Sequence, residues 1–208
     1  MKSILFLLSS ISLAASACAQ GKDYFFHYVA GNSVINGQRL RGNFSIPYVS
    51  PGVSHAPYNP SDHFNRIHLN TSLTSTAPKV LLVVPTNPHP PPVPGYYGLS
   101  NAEGFDSAYR LVYSYRPEEA GNGFVYRNWR TNGNFLRFDI GGASDDGYRW
   151  IAVREVTQAG NERWVPWWVK PTVANFATLE GWEYDIAELE LVEATGPVNS
   201  LAPGGVQE

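Results

Sequence analysis

Acid–base chemistry in this chain would have to be drawn from the carboxylates of its C-terminal half: Asp139, Asp145, Asp146, Glu155, Glu162, Glu183 and Asp185. A glycoside hydrolase needs two such groups about 5–9 Å apart across a cleft, one to donate a proton and one to attack or to activate water. Nothing in the spacing pairs them. Asp145-Asp146-Gly147 reads as a turn, and Glu155 and Glu162 fall near the ends of one hairpin, where charge is expected. No serine stands in a Gly-x-Ser-x-Gly elbow, and no glycine-rich loop could cradle a phosphate. Catalytic residues are therefore left unassigned, and the chain leans towards a non-enzymatic role.

Imidazole and carboxylate are common metal ligands, and His55, Asp62, His63 and His68 fall within fourteen residues. The odd spacing of His63 and His68 puts them on opposite faces of a strand, so no metal ligands and no cofactor are expected.

The aromatic residues carry the stronger signal. Four of the six tryptophans lie in "YRWIAVREVTQAGNERWVPWWVKP", residues 148–171. Indole and phenol faces stack on sugar rings and aromatic ligands when exposed, and fill cores when buried. Read as two strands, the segment puts Tyr148, Trp150 and Ala152 on one face and Ile151 and Val153 on the other. Trp164, Pro166 and Trp168 then oppose Val165, Trp167 and Val169. Pro166 has no N–H for a ladder, which predicts an edge or a bulge there. On that reasoning Trp150 and Trp164 pack, while Trp167 and Trp168 are the candidate ligand-binding pair.

The elements that must hold these residues are strands. Short aromatic and β-branched runs alternate with Gly, Asn, Asp and Pro clusters throughout, and no amphipathic helix is evident. "DYFFHYVA" and "KVLLVV" read as strands, the second buried on both faces. In "SAYRLVYSYRP", Tyr109, Leu111, Tyr113 and Tyr115 share one face. Asn36-Gly37 and Asn132-Gly133 signal hairpins with positive φ at both turn positions. In the closing strand "EYDIAELELVEA", Glu188 and Glu190 alternate with Leu189 and Leu191. About ten such strands predict a single-domain all-β fold, an antiparallel sandwich or barrel, with a β-trefoil as second choice for want of a threefold repeat. The domain spans 20–196, its proline-rich stretch 85–95 is a rigid loop within it, and 197–208 is a disordered tail.

Lys2, the apolar run from Ile4 and the small residues ending Ala17-Cys18-Ala19 read as a secretory signal peptide over 1–19. Cleavage there leaves no cysteine, so the domain depends on its core and not on disulfides. It also moves the formal charge from −3 to −4 by removing Lys2, which suggests neither nucleic acid nor an anionic membrane as partner. Asn43-Phe44-Ser45 and Asn70-Thr71-Ser72 are N-glycosylation sequons, placing Asn43 and Asn70 on the surface of a secreted glycoprotein.

The runs "YRWIAV", "RWVPWWV" and "YDIAELELVEA", with the opening "FFHYVAGNSVINGQRL", resemble small secreted β-rich proteins of filamentous fungi, mostly without assigned function and including cell-wall-associated ones. That group often carries a cysteine where this chain has Val153, and a second before the last strand, where none occurs near Tyr184-Asp185. The resemblance implies secretion and a β fold, and transfers no catalytic residue. The expected function is that of an extracellular or cell-wall protein that contacts polysaccharide through aromatic side chains. The alternatives are a lipocalin-like barrel enzyme or hydrolase acting on an apolar or glycan substrate, and a secreted effector that binds a host protein.

Overall fold

A computed structural model describes residues 22–42, 49–54, 66–84, 95–116, 123–140, 147–156, 162–172 and 177–195. The stretch 1–19 expected to be a leader, Asn43, His55, Asp62, His63, Asp145, Asp146, most of the proline-rich stretch and the expected tail 197–208 lie outside the described residues.

The strands are β1 (Asp23–Ala30), β2 (Val53–Ser54), β3 (Arg66–Leu69), β4 (Leu81–Val84), β5 (Gly95–Asn101), β6 (Ala108–Ser114), β7 (Trp129–Asn132), β8 (Phe135–Phe138), β9 (Arg149–Val156), β10 (Glu162–Val169) and β11 (Tyr184–Glu193). Eight of them close an antiparallel barrel in the order β1-β3-β4-β5-β6-β10-β9-β11. Closure comes from β11 pairing back onto β1, from Tyr24↔Glu193 to Ala30↔Ala187. The barrel, of the two architectures expected, is the one adopted. Its order departs from an up-and-down lipocalin-like barrel, because β9 lies between β10 and β11. β4 and β5 are paired neighbours, so the proline-rich stretch joins adjacent strands of one sheet.

Period-two alternation fills the interior. Tyr24, Phe26 and Tyr28 of β1, Tyr97 and Leu99 of β5, Leu111 and Tyr113 of β6, and Leu189 and Leu191 of β11 all point inward and are buried. The alternation of Glu188 and Glu190 with these leucines is thus the barrel wall itself, and Glu188 faces out to bind Arg137 at 2.5 and 3.0 Å. At the end where β1, β4, β6 and β9 begin, the β7–β8 hairpin adds Trp129, Leu136 and Phe138 to the core. Trp129 stacks on Trp150 with ring centres 6.3 Å apart. At the opposite end Ile35, Leu40 and Val53 complete the filling.

Local turn chemistry differs from expectation at both Asn-Gly pairs. Gly37 (φ 71°) and Gly133 (φ 58°) take the left-handed conformation, but neither Asn36 nor Asn132 does. After β1 the chain makes a wider turn in which Asn36 Oδ1 accepts from Ala30 N and Gly37 N donates to Tyr28 O. Among the described residues beyond this turn, the chain makes single bridges, His27↔Arg39 and Arg41↔Gly52.

The edge position expected for β10 is also corrected. β10 is interior, paired along its whole length with β9 and on its other side with two partners in succession. β2 covers Arg163 and Trp164, and β6 covers Trp167 to Val169. Pro166 falls in the gap between those partners, where the missing N–H breaks no ladder.

Candidate functional site

The barrel wall at β9 and β10 is apolar on both faces, and each is covered. Inward, Trp150, Ala152, Trp164 and Trp168 belong to the barrel core. Outward, Ile151, Val153, Val165, Trp167 and Val169 form a second cluster with Ala102, Ala108 and Leu179, against which Phe105 packs. The segments before β6 and before β11 thus lay a small outer layer on the barrel.

This arrangement removes Trp167 and Trp168 from the surface. Trp167 is 3% exposed and Trp168 is 0% exposed. Their expected exposure rests on Pro166 as an edge marker, and the change of partner strand accommodates the proline without an edge. The pair is also split, since Trp168 fills the lumen and Trp167 the outer layer. Trp150 and Trp164 pack inside as expected.

The exposed indole belongs instead to Trp182, at 44%. It precedes β11, outside the tryptophan-rich hairpin, and sequence reasoning passes over it. The signal available is its place at the start of an alternating run: Tyr184 and Ile186 come next at steps of two and are themselves 38% and 58% exposed. The three share the outer side of the wall, because Ala187, Leu189 and Leu191 take the inner one.

Trp182 is held by aromatic contacts from beneath. Its ring centre is 5.7 Å from that of Trp167 and 6.0 Å from Phe105, the latter edge-on. Phe105 in turn meets Trp167 edge-on at 5.0 Å. Such tilted and edge-to-face pairs stabilise by about 0.5–1.5 kcal/mol each beyond the area they bury. The indole Nε1 of Trp167 donates to Glu155 Oε1 at 2.8 Å, and the other carboxylate oxygen of Glu155 binds Arg110 Nη2. Arg110 is cross-strand from Trp167, and its Nε is buried without an acceptor among the described residues. The outer face therefore offers one exposed indole, with the exposed Tyr184 two residues on, while Arg110 and Glu155 are tied to each other beneath it.

The described candidate carboxylates are engaged elsewhere. Asp139 binds Arg130, Glu155 binds Arg110, and Asp185 Oδ2 accepts from Asn32 N at 2.8 Å. Glu162 and Glu183 are brought together, but by Arg154, which lies between them and ties both to β9. A guanidinium bridging two carboxylates is a clamp, so Glu162 and Glu183 are held as ion-pair partners.

His68, the described member of the histidine group, donates through Nδ1 to Asp23 Oδ1 at 3.1 Å. No group of three or more His, Cys, Asp or Glu suited to a metal occurs among the described residues. Asn70 lies exposed between β3 and β4, and its Oδ1 accepts from Val80 N at 2.6 Å. A glycan on Nδ2 would leave that bond in place.

No family model, curated protein or solved structure matches the chain.

Proposed function

We propose that this is an extracellular, non-catalytic β-barrel protein that binds carbohydrate through the Trp182 platform. The observation that carries the reading is an indole exposed to 44% yet fixed from below by Trp167 and Phe105. A flat apolar face whose orientation is set before binding loses little entropy on meeting a sugar ring. Tyr184, 38% exposed on the same face, carries a phenol hydroxyl for a glycan's oxygens. The leader, the sequons and the resemblance to secreted β-rich fungal proteins support the secretory route and a place at the cell wall.

The test is retention of the purified protein on insoluble chitin, β-1,3-glucan and mannan. The reading expects retention on at least one of them, lost in Trp182→Ala and kept in Val156→Ser, which changes another exposed apolar residue. Absence of retention on all three, or equal retention by Trp182→Ala, refutes it.

A second reading has its own observation. Ile186 is 58% exposed on the same face, and an aliphatic side chain serves a protein partner better than a sugar. If this face docks a host protein, Ile186→Asp abolishes the interaction as fully as Trp182→Ala, whereas glycan retention tolerates Ile186→Asp.

A further inference from the structure

The end of the barrel where β6 and β9 begin contains a second aromatic assembly, separate from the outer platform. Trp168 is fully buried there, and its ring lies between Tyr148, stacked at 17° with centres 5.9 Å apart, and Trp150 at 5.0 Å. Tyr109 stands with its ring centre 6.3 Å from that of Tyr148. Both tyrosines are partly exposed, so they form the rim and Trp168 the floor. Asn101, cross-strand from Tyr109 and exposed, brings a carboxamide to the same rim.

One atom in this assembly is out of keeping. Trp129 Nε1 donates to Tyr97 O at 3.0 Å, Trp150 Nε1 to Leu136 O at 2.8 Å and Trp167 Nε1 to Glu155 at 2.8 Å. Trp168 Nε1 is buried and has no acceptor among the described residues. Buried donors in folded proteins are almost always paired, so a donor left without an acceptor among the described residues of a well-packed aromatic setting is a place where a ligand oxygen could bind. The mouth of a closed barrel is also where small-molecule sites recur.

We propose that this mouth is a binding site for a small, uncharged ring compound bearing a carbonyl or hydroxyl oxygen. The oxygen accepts from Trp168 Nε1, and the ring replaces Tyr148 against the indole as Tyr148 swings outward. The described floor and rim residues Asn101, Tyr109, Tyr148, Trp150 and Trp168 carry no formal charge, which suits an uncharged ligand.

Acetophenone, a flat ring with one carbonyl acceptor, is the probe. In amide-type spectra of the ¹⁵N-labelled full chain, the Trp168 indole N–H is the signal missing from Trp168→Phe. Addition of acetophenone should move that signal saturably, with binding weakened about tenfold or more in Trp168→Phe, as expected for one lost hydrogen bond in a buried site. Trp182→Ala should bind the probe like the wild type, which separates this site from the outer platform. If Trp168→Phe does not fold, slowed solvent exchange of the wild-type Trp168 N–H on adding probe serves the same end. No saturable response, equal affinity in Trp168→Phe, or an N–H already bonded to a bound water and indifferent to the probe would each overturn the proposal.

Discussion

Trp150 and Trp168 offer a matched experiment on what holds the barrel together. Both are 0% exposed, they touch at 5.0 Å, and they face each other across the β9–β10 pair. Changing either to phenylalanine removes the same atoms from the same core, so the lost transfer energy and the cavity term nearly cancel between them. They differ in the indole N–H. Trp150→Phe forfeits a bond to Leu136 O, which keeps Arg137 Nη1 at 2.9 Å, so the loss is the net value of one hydrogen bond, about 0.5–1.5 kcal/mol. Trp168→Phe instead deletes a buried donor that has no acceptor among the described residues, and recovers about 1–3 kcal/mol of desolvation cost. Trp150→Phe should therefore be the less stable variant by about 1.5–4.5 kcal/mol. With a urea slope of roughly 2 kcal/mol/M, that is a midpoint difference of about 1–2 M, monitored by far-ultraviolet circular dichroism because the fluorophores differ. Equal midpoints would mean that Trp168 Nε1 is satisfied in solution, and would remove the basis both for this asymmetry and for the barrel-mouth site.

The same packing sets three further outcomes. Burial pushes the Tyr113 phenol up to about 12, with Tyr115 adding to the shift, and burial raises Tyr28 and Tyr97 as well. A phenol raised above its unfolded value of about 10 contributes stability that is complete below pH 10 and lost as pH rises towards 12; phenolate absorbance from these three should appear together with unfolding, and its completion in a still-folded protein would contradict their burial. His27 is lowered chiefly by burial and secondly by Arg39, with Glu190 opposite it on β11. Its contribution is therefore present above about pH 6.5 and lost as pH falls further, so His27→Gln should flatten the decline of Tm between pH 7 and 5. A Cβ at Gly98 would sit 2.5 Å from the Phe124 ring and 2.8 Å from the Val125 carbonyl oxygen, so Gly98→Ala should cost about 1–3 kcal/mol in urea unfolding through displacement of that segment from β5.

Much of the fold was legible because strands write a period of two. "SAYRLVYSYRP" and "EYDIAELELVEA" alternate so regularly that their inner faces, Leu111 and Tyr113 or Leu189 and Leu191, could be named before any pairing was known. In β9 and β10 apolar residues fall on both faces over Trp150–Val153 and Trp164–Val169, a pattern that fits double burial and a ligand-binding face alike; both faces are covered. The site was less legible. Trp182 stands outside any tryptophan-rich pattern, and its exposure depends on Phe105 and Leu179 covering the wall beside it but not the indole itself.

The sequence by itself determined an all-β chain, the residues that face each way along its strands, and the absence of a sequence-local catalytic constellation. Only the tertiary structure decided which apolar face meets solvent. Pro166 reads alike on an edge strand and at a gap between two partners, and the choice rests on β2 and β6, more than a hundred and more than fifty residues upstream of it. Alternation is a property of adjacent residues, whereas exposure is a property of whatever distant segment packs on top of them. That is why Trp167 and Trp168 ended in two separate cores and Trp182 on the surface.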